Sequence, residues 1–361
     1  MKKIFLIFLL LLLMAALGYF CYEHFVWHEM PNKSLVQIEL EKLGYSSHDI
    51  NLLQTKLNDE GLNLIVADNY LKAVELVNES NFQPALLKRY LDYAKNNQNL
   101  EVSTIIKMVN NELDTLPYKS IYLSIVDETY YKQVNLSRYL NYLNIHNEYT
   151  SLEIVRNVNV MIDYDFYQND LVSDTSKGIL SIANKYYTLA NDFNGFDLAT
   201  MDQTYCHNSN EYTLTNEAYT AFKQMWSDAN QEGLNFTVYS TYRSYKTQKA
   251  IYNNYVAKDG ANKADTYSAR AGHSEHQLGL STDLKSETLD TKYFQDTNEY
   301  TWLVNNAYKY GFILRYPKDK EFLTGYQYEP WHWRYCGIEC ATYIHEHDIT
   351  YDEYYDYFIN K

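Results

Sequence analysis

The sequence predicts an α+β protein: a small antiparallel sheet with surrounding helices, preceded by an α-helical repeat region and an N-terminal transmembrane helix. Three observations carry this. An uncharged apolar run opens the chain, from Ile4 to Tyr22. Residues 31–170 are polar, short of glycine and spaced as helices. From 171 onward, a few short β-rich segments alternate with helical ones between glycine stops. Few strands mixed with many helices point to an α+β layer arrangement.

The first segment, 1–30, reads MKKIFLIFLLLLLMAALGYFCYEHFVWHEM. A bilayer crossing needs ~20 apolar residues, and the run after Lys2 and Lys3 has that length. It exceeds the ~7–15 residues of a signal-peptide core, and no small-x-small cleavage site follows. Tyr19, Phe20, Tyr22 and Trp27 suit an aromatic belt at the far interface, while the two lysines favour the inner side. The reading is a single-pass signal anchor at the cell membrane with the rest of the chain outside; a cleaved signal peptide is the alternative.

The second segment, 31–170, holds an internal match. RYLDY at 89–93 recurs as RYLNY at 138–142, 49 positions on. At the same offset Leu87 matches Leu136, Ile105 matches Ile154, Val109-Asn110 matches Val158-Asn159, Asp114 matches Asp163 and Tyr118 matches Tyr167. Two readings stand side by side. One is a duplicated helical unit whose copies bury apolar faces against neighbours. The other is a plain helical linker. Either makes a stalk.

In the third segment, 171–361, LTNEAYTAFKQMWSDANQEG spaces Ala218, Phe222, Met225 and Trp226 on one helical face and stops at Gly233. NFTVYSTYRS alternates and is rich in β-formers, which predicts a strand from Phe236 to Ser240. SYKTQKAIYNNYVAKDG is a second helix, ended by Asp259-Gly260. Further strands are expected at Leu280–Leu284, Phe312–Arg315 and His332–Tyr335. A helix over Tyr300–Tyr310 ends at Gly311, a natural C-terminal stop.

Composition narrows the function. The chain has 361 residues, 46% hydrophobic and 21% charged, which suits a folded protein. Its net charge of −15 excludes the counterion release that drives nucleic-acid binding. The cysteines are Cys21, Cys206, Cys336 and Cys340. Cys336 and Cys340 are four apart, and a disulfide inside one helix turn is strained, so none is expected. Nor does their spacing fit paired zinc motifs.

Chemistry concentrates in GHSEHQLGLSTDL at 272–284 and YEPWHWRY at 328–335. A catalytic zinc takes three nitrogen or oxygen ligands and keeps one open position. His276 and Asp283 lie seven apart, with Gly279 between them to permit a tight turn into the following strand. His332, beside another expected strand, is the best third ligand. Glu329 lies three residues earlier, close enough to exchange a proton with water without being a ligand. Pro330 and the tryptophans restrict that turn. A single histidine is more often a surface or core residue than a ligand; His273 reads as a loop residue, and His345 and His347 as a solvated helix end.

These residues carry a resemblance. SEHQLGLSTD fits S-x-H-x-x-G-x-A-x-D, with Ser281 in place of alanine; Ala271 replaces a proline common before the glycine. LRYPKDKEFLTGYQYEPWHWRY and STYRSYKTQ look like two further blocks of the same family. Together they resemble the VanY-like D-alanyl-D-alanine carboxypeptidases, within the wider group of lysostaphin-type and Hedgehog-type zinc domains. The resemblance implies one zinc ion on His276, Asp283 and His332. It implies Glu329 as general base and then acid, and Arg243 as the group that stabilises the oxyanion. Gln248 and Ser274 would hold the substrate backbone or its terminal carboxylate, and Tyr328 and Trp331 would line the cleft. The function it implies is removal of the terminal D-alanine from peptidoglycan stem peptides, as a D,D- or L,D-carboxypeptidase. The alternatives are an endopeptidase or dipeptidase, or a wall-binding module that keeps the metal without turnover. The presence of both Glu329 and Arg243 favours catalysis.

Overall fold

The computed structural model describes residues 33–168, 171–286 and 291–360. The N-terminal apolar segment lies outside the described residues, and among these no helix is long and apolar enough to cross a membrane. The chain divides into two compact units, Met1–Val126 and Asp127–Lys361.

The first unit is helical. Leu35–Lys42 and Ser47–Lys56 start at Ser34 and Ser46, whose hydroxyls accept from the backbone three residues on while Gln37 and Asp49 bond back. Such reciprocal caps satisfy amides that the first turn leaves open. Asp59–Asp68, Leu87–Asn96 and Val102–Asn110 follow. Leu40, Leu53, Ile65, Leu76, Tyr90, Met108 and Val109 form the core. Arg89 bonds the Asp114 carboxylate and the Val109 carbonyl, and the Tyr90 hydroxyl donates to Asn110.

The second unit opens with a helical hairpin, Leu136–Ile145 and Ser151–Asn159. Its internal bonds are those of the first unit, 49 positions on. Arg138 bonds Asp163 at 2.8 Å and the Val158 carbonyl at 2.7 Å, and the Tyr139 hydroxyl donates to Asn159 at 2.6 Å. This hairpin is anchored on the C-terminal turn. The Tyr130 ring stacks on Tyr357 at 3.5 Å, and Lys132 Nζ reaches Asp356 Oδ1 at 2.8 Å and the Asn360 carbonyl at 2.8 Å. Asn81 and Gln83 stand at the matching places of the first unit. Contacts therefore group 127–170 with the C-terminal domain, whereas the sequence reading began that domain at 171. The tethering residues are far apart in sequence, so no local signal marks them.

Short strands lead into the main sheet. β1 Leu171–Val172 pairs with β2 Tyr187–Thr188, and β3 Leu198–Thr200 with β4 Thr213–Thr215. The sheet proper has β5 Phe236–Ser240, β6 Ser281–Ser286, β7 Phe312–Leu314 and β8 His332–Tyr335, in the order β5-β6-β8-β7, all antiparallel. The helices Asn216–Gln231 and Tyr245–Asp259 flank it in sequence as expected. The third expected helix is Asn298–Asn306 and tightens into a 3₁₀ turn before Gly311, whose φ is 84°.

Alternation along a strand sends neighbours to opposite faces. In β8, Trp333 and Tyr335 therefore share one face, where they join Phe222, Met225, Leu284 and Phe312 in the core. His332 and Arg334 share the other. Both faces of β8 are buried, so its polar face must be compensated by partners rather than by water.

Candidate metal centre and cleft

Register builds the centre. Asp283 on β6 is the direct cross-strand partner of His332 on β8, which brings their side chains to neighbouring positions on one face. His276 arrives from the 3₁₀ turn Glu275–Leu278. Gly279 ends that turn at φ 75°, a conformation suited to glycine. A Cβ there would meet the Leu198 side chain and push it aside.

The three groups offer ligand atoms within 4.8 Å of one another, and all three residues are buried. His276 Nδ1 meets the Thr241 carbonyl at 2.6 Å. That bond takes the ring proton and leaves Nε2, 3.3 Å from Asp283 Oδ2, free to bind. His332 Nδ1 lies 2.9 Å from Asp283 Oδ1. Two imidazoles and a carboxylate, buried around one point, fit a divalent metal.

The titration of the metal-free centre reflects the same crowding. Burial and the nearby Arg243 bring His276 down to about 4, so it is neutral at pH 7. Burial also opposes charge on His332, but the nearby carboxylates of Asp283 and Glu275 outweigh this and raise it to about 9. Burial works against the Asp283 carboxylate as well; the two histidines hold it well below its usual range. Glu329 is pushed up to about 7, chiefly by burial, with His332 pulling down and Asp283 adding to the rise.

A cavity of about 470 Å³ opens over these groups, within the range of small-molecule sites. Arg243, Gln248, Ser274, Glu329 and Trp331 line it with the three ligands. Glu329 Oε2 is 3.9 Å from His332 Nδ1, held by a tight turn in which the His332 amide donates to the Glu329 carbonyl. The Arg243 amide donates to the His276 carbonyl at 3.1 Å, and its Nε has no protein partner. Gln248 donates from Nε2 to the Ala269 carbonyl at 2.7 Å and leaves Oε1 unpartnered.

Tyr328 differs from expectation. Its hydroxyl donates to Tyr300 at 2.8 Å, and the lining of the cleft comes instead from Tyr316, Tyr326 and Gln327. Sequence reasoning also passed over Glu275, Arg315, Arg334 and Asp352, a buried charged cluster directly behind His332. The alternation in HWRY was the one available signal, since it puts Arg334 on the face of His332. His273, read as a loop residue near the site, is buried with Nδ1 against the Asn184 carbonyl at 2.8 Å.

A buried His-Asp-His cluster, two of its members on the sheet, with a buried glutamate and an arginine in one cleft is the site of a metallopeptidase. Comparison gives the particular family. Residues 211–338 match the model of the VanY family, D-alanyl-D-alanine carboxypeptidase. A putative carboxypeptidase of Bacillus subtilis is 40% identical over 185 residues, 50% of this chain and 68% of that protein. A D-alanyl-D-alanine carboxypeptidase of Enterococcus faecium is 41% identical over 150 residues, 41% of this chain and 46% of that protein. Among solved structures, the LdcB LD-carboxypeptidase is 37% identical, covering 54% of this chain and 94% of that one at a TM-score of 0.49. A VanY D,D-pentapeptidase variant in complex with Zn(II) is 31% identical, covering 48% and 97% at a TM-score of 0.42. The chain belongs to the VanY D-alanyl-D-alanine carboxypeptidase family.

Proposed function

We propose that this protein is a zinc-dependent carboxypeptidase that removes the terminal D-alanine from peptidoglycan stem peptides, cutting a D,D or an L,D bond. The observation that carries the reading is the convergence of His276, Asp283 and His332 with Glu329 and Arg243 in one cleft. When bound, zinc supplies a Lewis acid that acidifies water and polarises a carbonyl.

The chain's own groups divide the remaining work. Glu329 holds a proton at its carboxylate and returns it to the leaving amine, a task suited to a carboxyl raised toward neutrality. Arg243 directs donors into the cleft, where negative charge develops on the scissile oxygen. Gln248 presents an acceptor through Oε1, because its Nε2 is already committed to Ala269; Ser274 adds a hydroxyl beside it. Trp331 and the tyrosines narrow the opening and exclude bulk water.

The place of action follows from the first residues. The run Ile4–Tyr22 after Lys2 and Lys3 supports a single-pass anchor with the cleft outside the cell, facing the wall. Protection of a C-terminal tag from added protease in intact cells would contradict that topology. Turnover is tested by incubating the protein with pentapeptide and tetrapeptide muropeptides and weighing the products. Loss of one alanine supports the reading; an intact zinc-loaded protein that releases nothing points to a binding module.

A further inference from the structure

Behind the metal centre lies a cluster of charges that the proposed reaction does not use. Arg315 Nε donates to Glu275 Oε1 at 2.8 Å. The other edge of Arg315 grips Asp352 with bonds of 2.7 and 3.1 Å. Asn184 Nδ2 also donates to Asp352, at 2.8 Å. Arg334 Nη1 is 3.4 Å from Glu275 Oε1, and its Nη2 donates to the Ile179 and Ser181 carbonyls. Glu275, Arg315, Arg334 and Asp352 are all buried. Charges without water are costly unless paired with good geometry, so a cluster of this size calls for a purpose.

Besides Arg334 Nη1, two buried atoms at the boundary between the cluster and the metal centre have no hydrogen-bond partner. Glu275 Oε2 is buried and accepts nothing; His332 Nε2 is buried and has no partner. They face each other at 3.8 Å. Elsewhere in the centre the ring proton is placed already, since His276 Nδ1 meets the Thr241 carbonyl. His332 is the reverse case. Its Nδ1 faces Asp283, so Nδ1 is the nitrogen that would hold a metal shared by the cluster. A neutral imidazole bound through Nδ1 carries its proton on Nε2, and the proton previously on Nδ1 leaves to solvent. The Nε2 proton then points at the open oxygen of Glu275.

The geometry points to Glu275 as a positioning residue for the metal ligand His332, held in place by Arg315 and Asp352. In the zinc-loaded protein its carboxylate accepts the His332 Nε2–H bond. It thereby fixes ring orientation and tautomer and strengthens Nδ1 as a donor. Asp352 lies in the helix Tyr351–Tyr354, beyond the matched segment 211–338. The C-terminal helix is thus part of the metal centre's support. This inference rests on zinc occupying the site.

The test uses the full chain, ¹⁵N-labelled at histidine and loaded with zinc. In the wild type, His332 should be bound through Nδ1 with a protected, downfield Nε2 proton, and Glu275→Gln should move that proton upfield. Binding through Nε2, or an unchanged proton in Glu275→Gln, would overturn the inference. Asp352→Asn touches no ligand and keeps the measurement independent of changes at Glu275. Competition with a chromogenic chelator should show its zinc affinity reduced by ~10- to 100-fold. A merely structural Asp352 would lower the melting temperature of metal-free and loaded protein alike and leave both zinc affinity and the His332 signal unchanged; that result overturns the inference. A folded wild type that takes up no zinc would overturn the metal reading, and this inference with it.

Discussion

The polar face of the central sheet has two ends, and they solve burial in opposite ways. At the cleft end, the carboxylates of Asp283 and Glu329 are crowded against the imidazoles of His276 and His332. At the far end, Glu275 and Asp352 are matched against Arg315 and Arg334. One end is held together, without metal, by a proton on His332 that a divalent cation can displace. The other is neutralised within the protein and serves as a fixed base. His332 stands between them on β8 and faces both. The lesson is that crowded carboxylates and imidazoles, balanced by an exchangeable proton, mark the working end of this face, while guanidinium–carboxylate pairs mark its support.

Substitutions separate the two ends. The largest effect is expected for His332→Ala, which removes a ligand from the cleft end. Metal content by plasma emission should fall from one zinc per chain to background. Retention of stoichiometric zinc would remove His332 from the ligand set.

Glu329→Gln should keep zinc and lose turnover by ~10²- to 10⁴-fold, the usual worth of a positioned general base. Activity within a few-fold of wild type would remove that role. Arg243→Met should lower kcat by ~10²- to 10³-fold with metal content intact, as expected for loss of an oxyanion donor. A change in KM alone would make Arg243 a substrate anchor instead.

Proton competition sharpens the contrast further. In the metal-free protein His332 is raised to about 9 and is protonated at pH 7, whereas His276, lowered to about 4, is already neutral. Zinc must therefore displace one proton, from His332. Apparent affinity should fall about tenfold per unit as pH drops from 8 to 6, because metal binding releases that proton. A flat profile over this range would contradict a protonated His332 in the metal-free centre.

The smallest effect is expected at Ser281, which shares the sheet face between Asp283 and Arg334. Its hydroxyl is buried without a partner. Ser281→Ala should raise stability by about 1 kcal/mol, since an unsatisfied buried hydroxyl is costly. A loss of stability would mean that the hydroxyl serves one of the two ends.

Much of the cleft end could be read from sequence. His276, Gly279 and Asp283 sit within one short stretch, and Glu329, Pro330 and His332 within another, so local spacing reveals them. Strand β5 at Phe236–Ser240 and β8 at His332–Tyr335 were legible from alternation. The supporting end was not. Arg315, Arg334, Glu275 and Asp352 look like surface charges in a sequence, and their pairing spans up to 59 positions, between Glu275 and Arg334. Tyr328 was misplaced in the cleft because a tyrosine beside a catalytic turn can face either way. Here its bond to Tyr300 settles the direction. In the helical region, the matches at an offset of 49 were visible, but Tyr130 and Lys132, which fasten the hairpin to the C-terminal turn, carry no local mark.

The most direct measurement is mass spectrometry of muropeptides incubated with the zinc-loaded full chain, with and without chelator. The account predicts loss of a single alanine, abolished by chelator and by Glu329→Gln, with the reacting stem peptide distinguishing D,D from L,D cleavage. Release that persists after complete zinc removal would contradict the central claim. So would a folded, zinc-loaded protein that leaves both stem peptides intact.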